Sequence, residues 1–123
     1  MHPSKAGRLV AERAADRYGI ELGDVSYADG RMLGGKPVEI KGCQRGKNNH
    51  FRIWRDNHVI LARQQGYYVF AYYSNMGPSI RIHEMVRKRA IDVSEMIDGQ
   101  WIEAGHEHTD SLQYALAPGD VFR

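Results

Sequence analysis

Glu39 and Lys41 stand two residues apart in the stretch PVEIKG, with the apolar Val38 and Ile40 beside and between them. Side chains alternate along a strand, so the acid and the lysine point to one face while Val38 and Ile40 point to the other. If a second carboxylate meets Glu39 on its face, the two repel, and burial sharpens the repulsion. A divalent cation relieves it, because hard oxygen ligands are what Mg²⁺ takes. A neighbouring ammonium then stabilises charge developing on a phosphoryl group or orients an attacking water. Asp24 is the first candidate for the second acid. The Gly-rich linker DGRMLGGK joins its strand to that of Glu39, and a hairpin centred there lays Asp24 roughly opposite Glu39. These residues point to metal-assisted phosphodiester hydrolysis. The same tripeptide also suits the exposed face of an edge strand, with Asp24 as a turn residue, so the surrounding elements have to carry the case.

Those elements read as an α/β chain. Residues 4–18 form a helix with Ser4 as N-cap, Gly19 as stop and an apolar stripe at Ala6, Val10, Ala14 and Tyr18. Two strands follow, around residues 24–28 and 37–42, and HFRIW alternates as a third. RDNHVILARQQ has helical character and ends before Gly66. YYVFAYY is aromatic and β-branched, the strongest strand signal in the chain, and reads as an internal strand. SIRIHEMV reads as an edge strand running into a helix, DVSEMIDGQW as a short helix, and HTDSLQYALAPGDVFR has no clear assignment. The order α-β-β-β-α-β implies a mixed sheet.

At 123 residues the chain has the size of one domain and can bury a core without disulfides. No apolar run approaches the ~18–20 residues that a membrane span needs. The charged start, MHPSKAGRLVAERAADRYG, lacks the apolar region of a secretory signal. A lone cysteine, Cys43, fits a reducing compartment, so a cytoplasmic location is expected. The net charge is only +2, but between Lys41 and Arg63 six basic residues face one acid, Asp56. Such a stripe suggests a polyanion surface. Arg45 and Lys47 in the loop QRGKNNH, with Arg52 and Arg55 further on, are candidates for gripping phosphates. The GHEH stretch, with His106 and His108, lacks the further ligands that a zinc site requires.

In this order and spacing the motifs resemble the PD-(D/E)xK nuclease superfamily, and within it the small archaeal Holliday-junction resolvases and related restriction-like enzymes. The resemblance spans residues 5–74: an acid in the first helix (Glu12), GDVSYADG as the second motif, PVEIKG as the third, and the strand, helix and strand that follow. It implies a restriction-endonuclease-like αβββαβ core with a central mixed sheet flanked by helices. The core covers about residues 4–74 of a single domain 1–123, with 75–123 as an irregular C-terminal extension. It implies that Asp24 and Glu39 ligate Mg²⁺ or Mn²⁺ with the Ile40 carbonyl as third ligand, that Lys41 positions or activates the water, and that Glu12 holds a metal-bound water or a second ion. Asp29 is the reserve for the second-motif acid, although Asp29–Gly30 reads as a turn dipeptide. The implied activity is a metal-dependent DNA endonuclease, structure-selective on branched or duplex DNA and acting as a homodimer. The alternative is a non-catalytic nucleic-acid-binding module that keeps the fold.

Overall fold

The computed structural model describes residues 5–25, 27–103 and 112–123. Its elements are α1 (Lys5–Tyr18), β1 (Glu21–Val25), β2 (Ala28–Arg31), β3 (Pro37–Gln44), β4 (Phe51–Trp54), α2 (Arg55–Arg63), β5 (Tyr67–Asn75), β6 (Ile80–Arg89), α3 (Ala90–Ile97), β7 (Ile102–Glu103), β8 (Leu112–Leu116) and α4 (Pro118–Val121). Five strands form a mixed sheet in the order β1-β2-β3-β5-β6, and β4-β8-β7 form a second, antiparallel sheet. This is the α/β architecture with a central mixed sheet and flanking helices that the motif order implies.

The position of β5 explains its composition. It pairs in parallel with β3 on one edge and antiparallel with β6 on the other. A strand paired on both edges and covered on both faces has to be apolar on both. Val69, Ala71 and Tyr73 pack with Val10 and Ala14 of α1 on one face, while Tyr68 and Phe70 pack with Leu61 of α2, Val93 of α3 and Phe51 of β4 on the other. The α1 stripe serves the first of these clusters, with Ala6 and Tyr18 at its margin, and Gly19, at φ +66°, ends the helix.

Several expectations change. The segment 24–28 is divided between β1 and β2, and β2, not β1, lies against β3. Asp29–Gly30 is therefore strand rather than turn. Gly30 is buried, and a Cβ there would run into the backbone carbonyl of Glu21 on β1, so close strand approach explains the glycine. The β2–β3 turn instead falls at residues 33–35, where Gly35 adopts φ +89°. Residues 75–123, expected as an irregular extension, carry β6, α3, β7, β8 and α4, and β6 completes the main sheet. Helix α3 starts at Ala90, two residues ahead of the stretch DVSEMIDGQW in which a helix is expected, and Asp92 pairs with Arg89 at its mouth at 2.9 Å.

Replacing Gly30 with alanine is expected to cost about 1–3 kcal/mol of stability, since the new methyl meets backbone on the facing strand. Gly34→Ala, where nothing stands within 4 Å of the added carbon, is expected to stay within about 0.5 kcal/mol of the parent. Urea denaturation of the two variants checks this, and equal midpoints would show that β1 yields freely.

Candidate active site

β3 is held unequally along its two edges. Against β5 it pairs from Val38↔Tyr67 to Gln44↔Tyr73, but against β2 only at Pro37 and Val38. Past Val38 its outer edge is open, and the first exposed donor there is the Ile40 amide. The Asp29 carboxylate takes that donor, accepting the Ile40 N–H at 2.7 Å. A strand residue aims its N–H and C=O at the same edge, so the Ile40 carbonyl points to the edge where Asp29 sits. Glu39 and Lys41, on either side of Ile40, share a face with each other and are half-buried.

Asp29 and Glu39 interact directly. Burial raises the Glu39 carboxyl from its usual 4.5 to about 8; the Lys41 ammonium opposes that rise, and a hydrogen bond and charge repulsion from Asp29 add to it. Glu39 is thus reluctant to ionise beside Asp29, and a cation at this edge would offset the cost. Tyr68, the register partner of Glu39 on β5, is also pushed up, first by burial and then by the Glu39 charge.

A cavity of about 280 Å³ opens on the α1 side of this edge, with Gly7, Val10 and Ala11 of α1 on one wall and Asp29 and Ile40 on another. Glu12 lies one residue beyond that wall and is exposed. Asp24 lies on β1, one strand farther from β3 than Asp29, and its side chain is outside the described residues. The GHEH histidines are likewise outside them. Arg45 and Lys47 are exposed in an ordered turn after β3, where Gly46 adopts φ +81° and the Gln44 N–H donates to Asn48 Oδ1 at 3.2 Å. Arg52 and Arg55 are exposed around the β4–α2 junction, and the Arg52 guanidinium lies 5.8 Å from the centre of the Trp54 ring. Arg45 is six positions along the strand from Glu39, roughly 20 Å at strand rise, so it flanks the acids without touching them.

Sequence reasoning missed the contact between Asp29 and β3, because Asp-Gly is a turn signal, and it missed the buried role of His58. The latter had a signal: His58 lies three residues before Leu61, on the stripe that α2 buries.

The donors present suit a hard divalent cation. Two carboxylates and a backbone carbonyl converge at one edge, and Mg²⁺ is commonly held by one or two carboxylates, with water or phosphate oxygens completing its shell. Among the described residues no group of three or more His, Cys, Asp or Glu side chains is assembled for a metal, so any such cation relies on the carbonyl and on non-protein oxygens.

Sheet order, the E-x-K strand and the acid facing it define a nuclease-type α/β fold. Residues 1–123 match the PD-(D/E)XK nuclease superfamily domain, and the chain belongs to that superfamily. No curated protein matches it. The family is one of nucleases that generally use divalent metals and act on nucleic acid. No helix among the described residues is long and apolar enough to cross a membrane.

The raised Glu39 carboxyl makes stability depend on pH. Its folded form keeps a proton that the unfolded chain has lost, so between about 4.5 and 8 the native state binds more protons and stability falls as pH rises. In EDTA, urea midpoints are expected to decline across this window and level off above it. Glu39→Gln should flatten that dependence; an equally steep decline in the variant would place its origin elsewhere.

Proposed function

We propose that the chain is a metal-dependent endonuclease that hydrolyses DNA phosphodiester bonds at the open edge of β3. The observation that carries the reading is the Asp29–Glu39 pair, with Asp29 seated on the Ile40 amide at 2.7 Å and Lys41 beside Glu39. Glu39, Asp29 and the Ile40 carbonyl hold Mg²⁺ or Mn²⁺, with Asp29 rather than Asp24 as the second acid. When bound, the cation supplies Lewis acidity at the phosphoryl oxygen and offsets the charge that develops there. Lys41 holds the attacking water or a non-bridging phosphate oxygen through its ammonium, in a half-buried position that strengthens the interaction. Glu12, exposed one residue past the cavity wall, holds a metal-bound water or a second ion. Arg45, Lys47, Arg52 and Arg55 grip phosphates to either side of the scissile bond, a contribution that weakens as salt rises.

Several exposed cations beyond the acid pair support a substrate longer than a few nucleotides, and among the described residues no helix is offered for reading base edges, which favours selection by shape over sequence. Branched DNA of the Holliday-junction type fits that description. Symmetric cutting of its two strands by a chain with one such edge calls for a homodimer.

The test is cleavage of labelled branched, nicked, duplex and single-stranded DNA with Mg²⁺, Mn²⁺ or EDTA. Glu39→Ala, Asp29→Asn and Lys41→Ala are each expected to lower the cleavage rate by at least about 10²-fold, the usual loss when one preorganised electrostatic group is removed, while DNA binding survives. Binding without cutting in any metal would establish the non-catalytic module instead. Asp24→Asn is expected to cut like the parent, and a loss as large as that of Asp29→Asn would return the second-acid role to β1.

A further inference from the structure

The C-terminal end of α1 carries a group of cations that the proposed chemistry does not use. The Arg87 guanidinium on β6 lies 5.6 Å from the centre of the Tyr18 ring and 5.0 Å from that of Tyr67, and the Arg17 guanidinium lies 5.6 Å from the Tyr18 ring. Both arginines are exposed and both tyrosines are half-buried. The Tyr18 hydroxyl donates to the Met85 carbonyl at 3.5 Å, which ties the ring to β6. Arg13, exposed one turn before Arg17, adds a third cation to that face of the helix. Glu12 and Asp16 are turned about 100° away from it.

These charges are left without acids. Among the described residues, ion pairs join Arg89 to Asp92 and Arg123 to Asp120, and none reaches Arg13, Arg17 or Arg87. Glu84 lines a cavity with Arg17 but does not pair with it. Arg89 shows the contrast, since it gives two N–H donors to Asp92, at 3.0 and 2.9 Å. A tyrosine ring engages the flat face of a guanidinium, whose N–H donors lie in its plane, so the contact fixes the group and leaves the donors for an anion. Arg17 and Arg87 share one ring, and Arg13 and Arg17 stand four residues apart, so the cations repel one another. An anion among them removes that cost.

The patch also lies within reach of the acid edge. Helix α1 lines the cavity beside Asp29 at Ala11 and ends at Tyr18, a run of roughly 10 Å at helix rise. A nucleic-acid strand laid along the helix covers it in about three nucleotides. We infer that Arg17 and Arg87, held by Tyr18 and Tyr67, form a phosphate-binding site for the strand that leaves the acid edge along α1. The ligand is the phosphodiester backbone and not a stacked base, because both rings are half-buried and already covered by arginine. The inference rests on the nuclease reading of the β3 edge.

Fluorescence anisotropy of the full chain with labelled branched and single-stranded DNA in EDTA, across a range of NaCl, tests it. Arg17→Ala and Arg87→Ala are each expected to weaken binding about tenfold at low salt, the scale of one hydrogen bond to a charged group. The double variant should flatten the slope of log affinity against log salt by roughly 1.4 on single strands and 1.8 on duplex arms, the loss of two phosphate contacts. Tyr18→Phe, which keeps the ring, should bind like the parent. In Mg²⁺ the double variant should raise KM and leave kcat within about twofold, as expected of groups remote from the scissile bond. If the arginines only pack α1 against β6, the variants lower the urea midpoint yet keep the parent's affinity and salt slope, which overturns this inference and leaves the nuclease reading standing. A parent that neither binds nor cuts DNA sinks the nuclease reading itself.

Discussion

The Asp29 carboxylate on the Ile40 amide, at 2.7 Å, is the contact on which the arrangement around Glu39 depends. A strand edge that opens to admit a cation and a phosphate loses its ladder partner there, and a backbone donor without a partner carries a penalty of its own. A carboxylate that takes the donor removes that penalty and delivers a second negative charge beside Glu39. The structural need and the chemical one are met by one side chain. A neutral residue in its place could fill the hydrogen bond and still leave the edge without its second anion.

What keeps this edge in place is the pairing on the other side. β3 runs against β5 for seven consecutive register pairs, and β5 is buried on both faces by two separate apolar clusters. Glu39 is thereby fixed to a strand that cannot shift without disturbing both cores. Its partial burial follows from the same packing, since Tyr68 and Phe70 on its face belong to the cluster that α2 and α3 cover. The site inherits its low polarity from the core instead of from a lid.

The parts of the fold legible in the sequence are those whose signals are local and repeated. Alternation in PVEIKG placed Glu39 and Lys41 together, and the unbroken apolar run YYVFAYY marked the central strand. The Asp29–Gly30 pair misled because turn chemistry is a local preference, whereas Gly30 answers to the Glu21 carbonyl across the β1–β2 ladder, a constraint from another segment. LQYAL gave no reading for a related reason: its strand is defined by pairing with β4, about sixty positions earlier, from Phe51↔Leu116 to Trp54↔Gln113. Sequence named Asp29 only as a reserve, because nothing local says that β2 parts from β3 one residue after Val38.

The burial of Glu39 and the acid pair it forms with Asp29 bear on one quantity, the availability of the Glu39 carboxylate. Burial makes this group a reluctant acid, with its proton held to about pH 8, and the same desolvation strengthens its attraction for any cation that displaces the proton. Cation binding at such a site is an exchange in which a proton leaves as the metal enters. A hydroxyl free to donate to the carboxylate would stabilise the anion but occupy the lone pairs that the metal needs. Tyr68 stands nearest in register, and its hydroxyl lies 2.8 Å from His58 Nδ1. The fold makes this acid costly to ionise, and a cation becomes the partner best able to offset that cost.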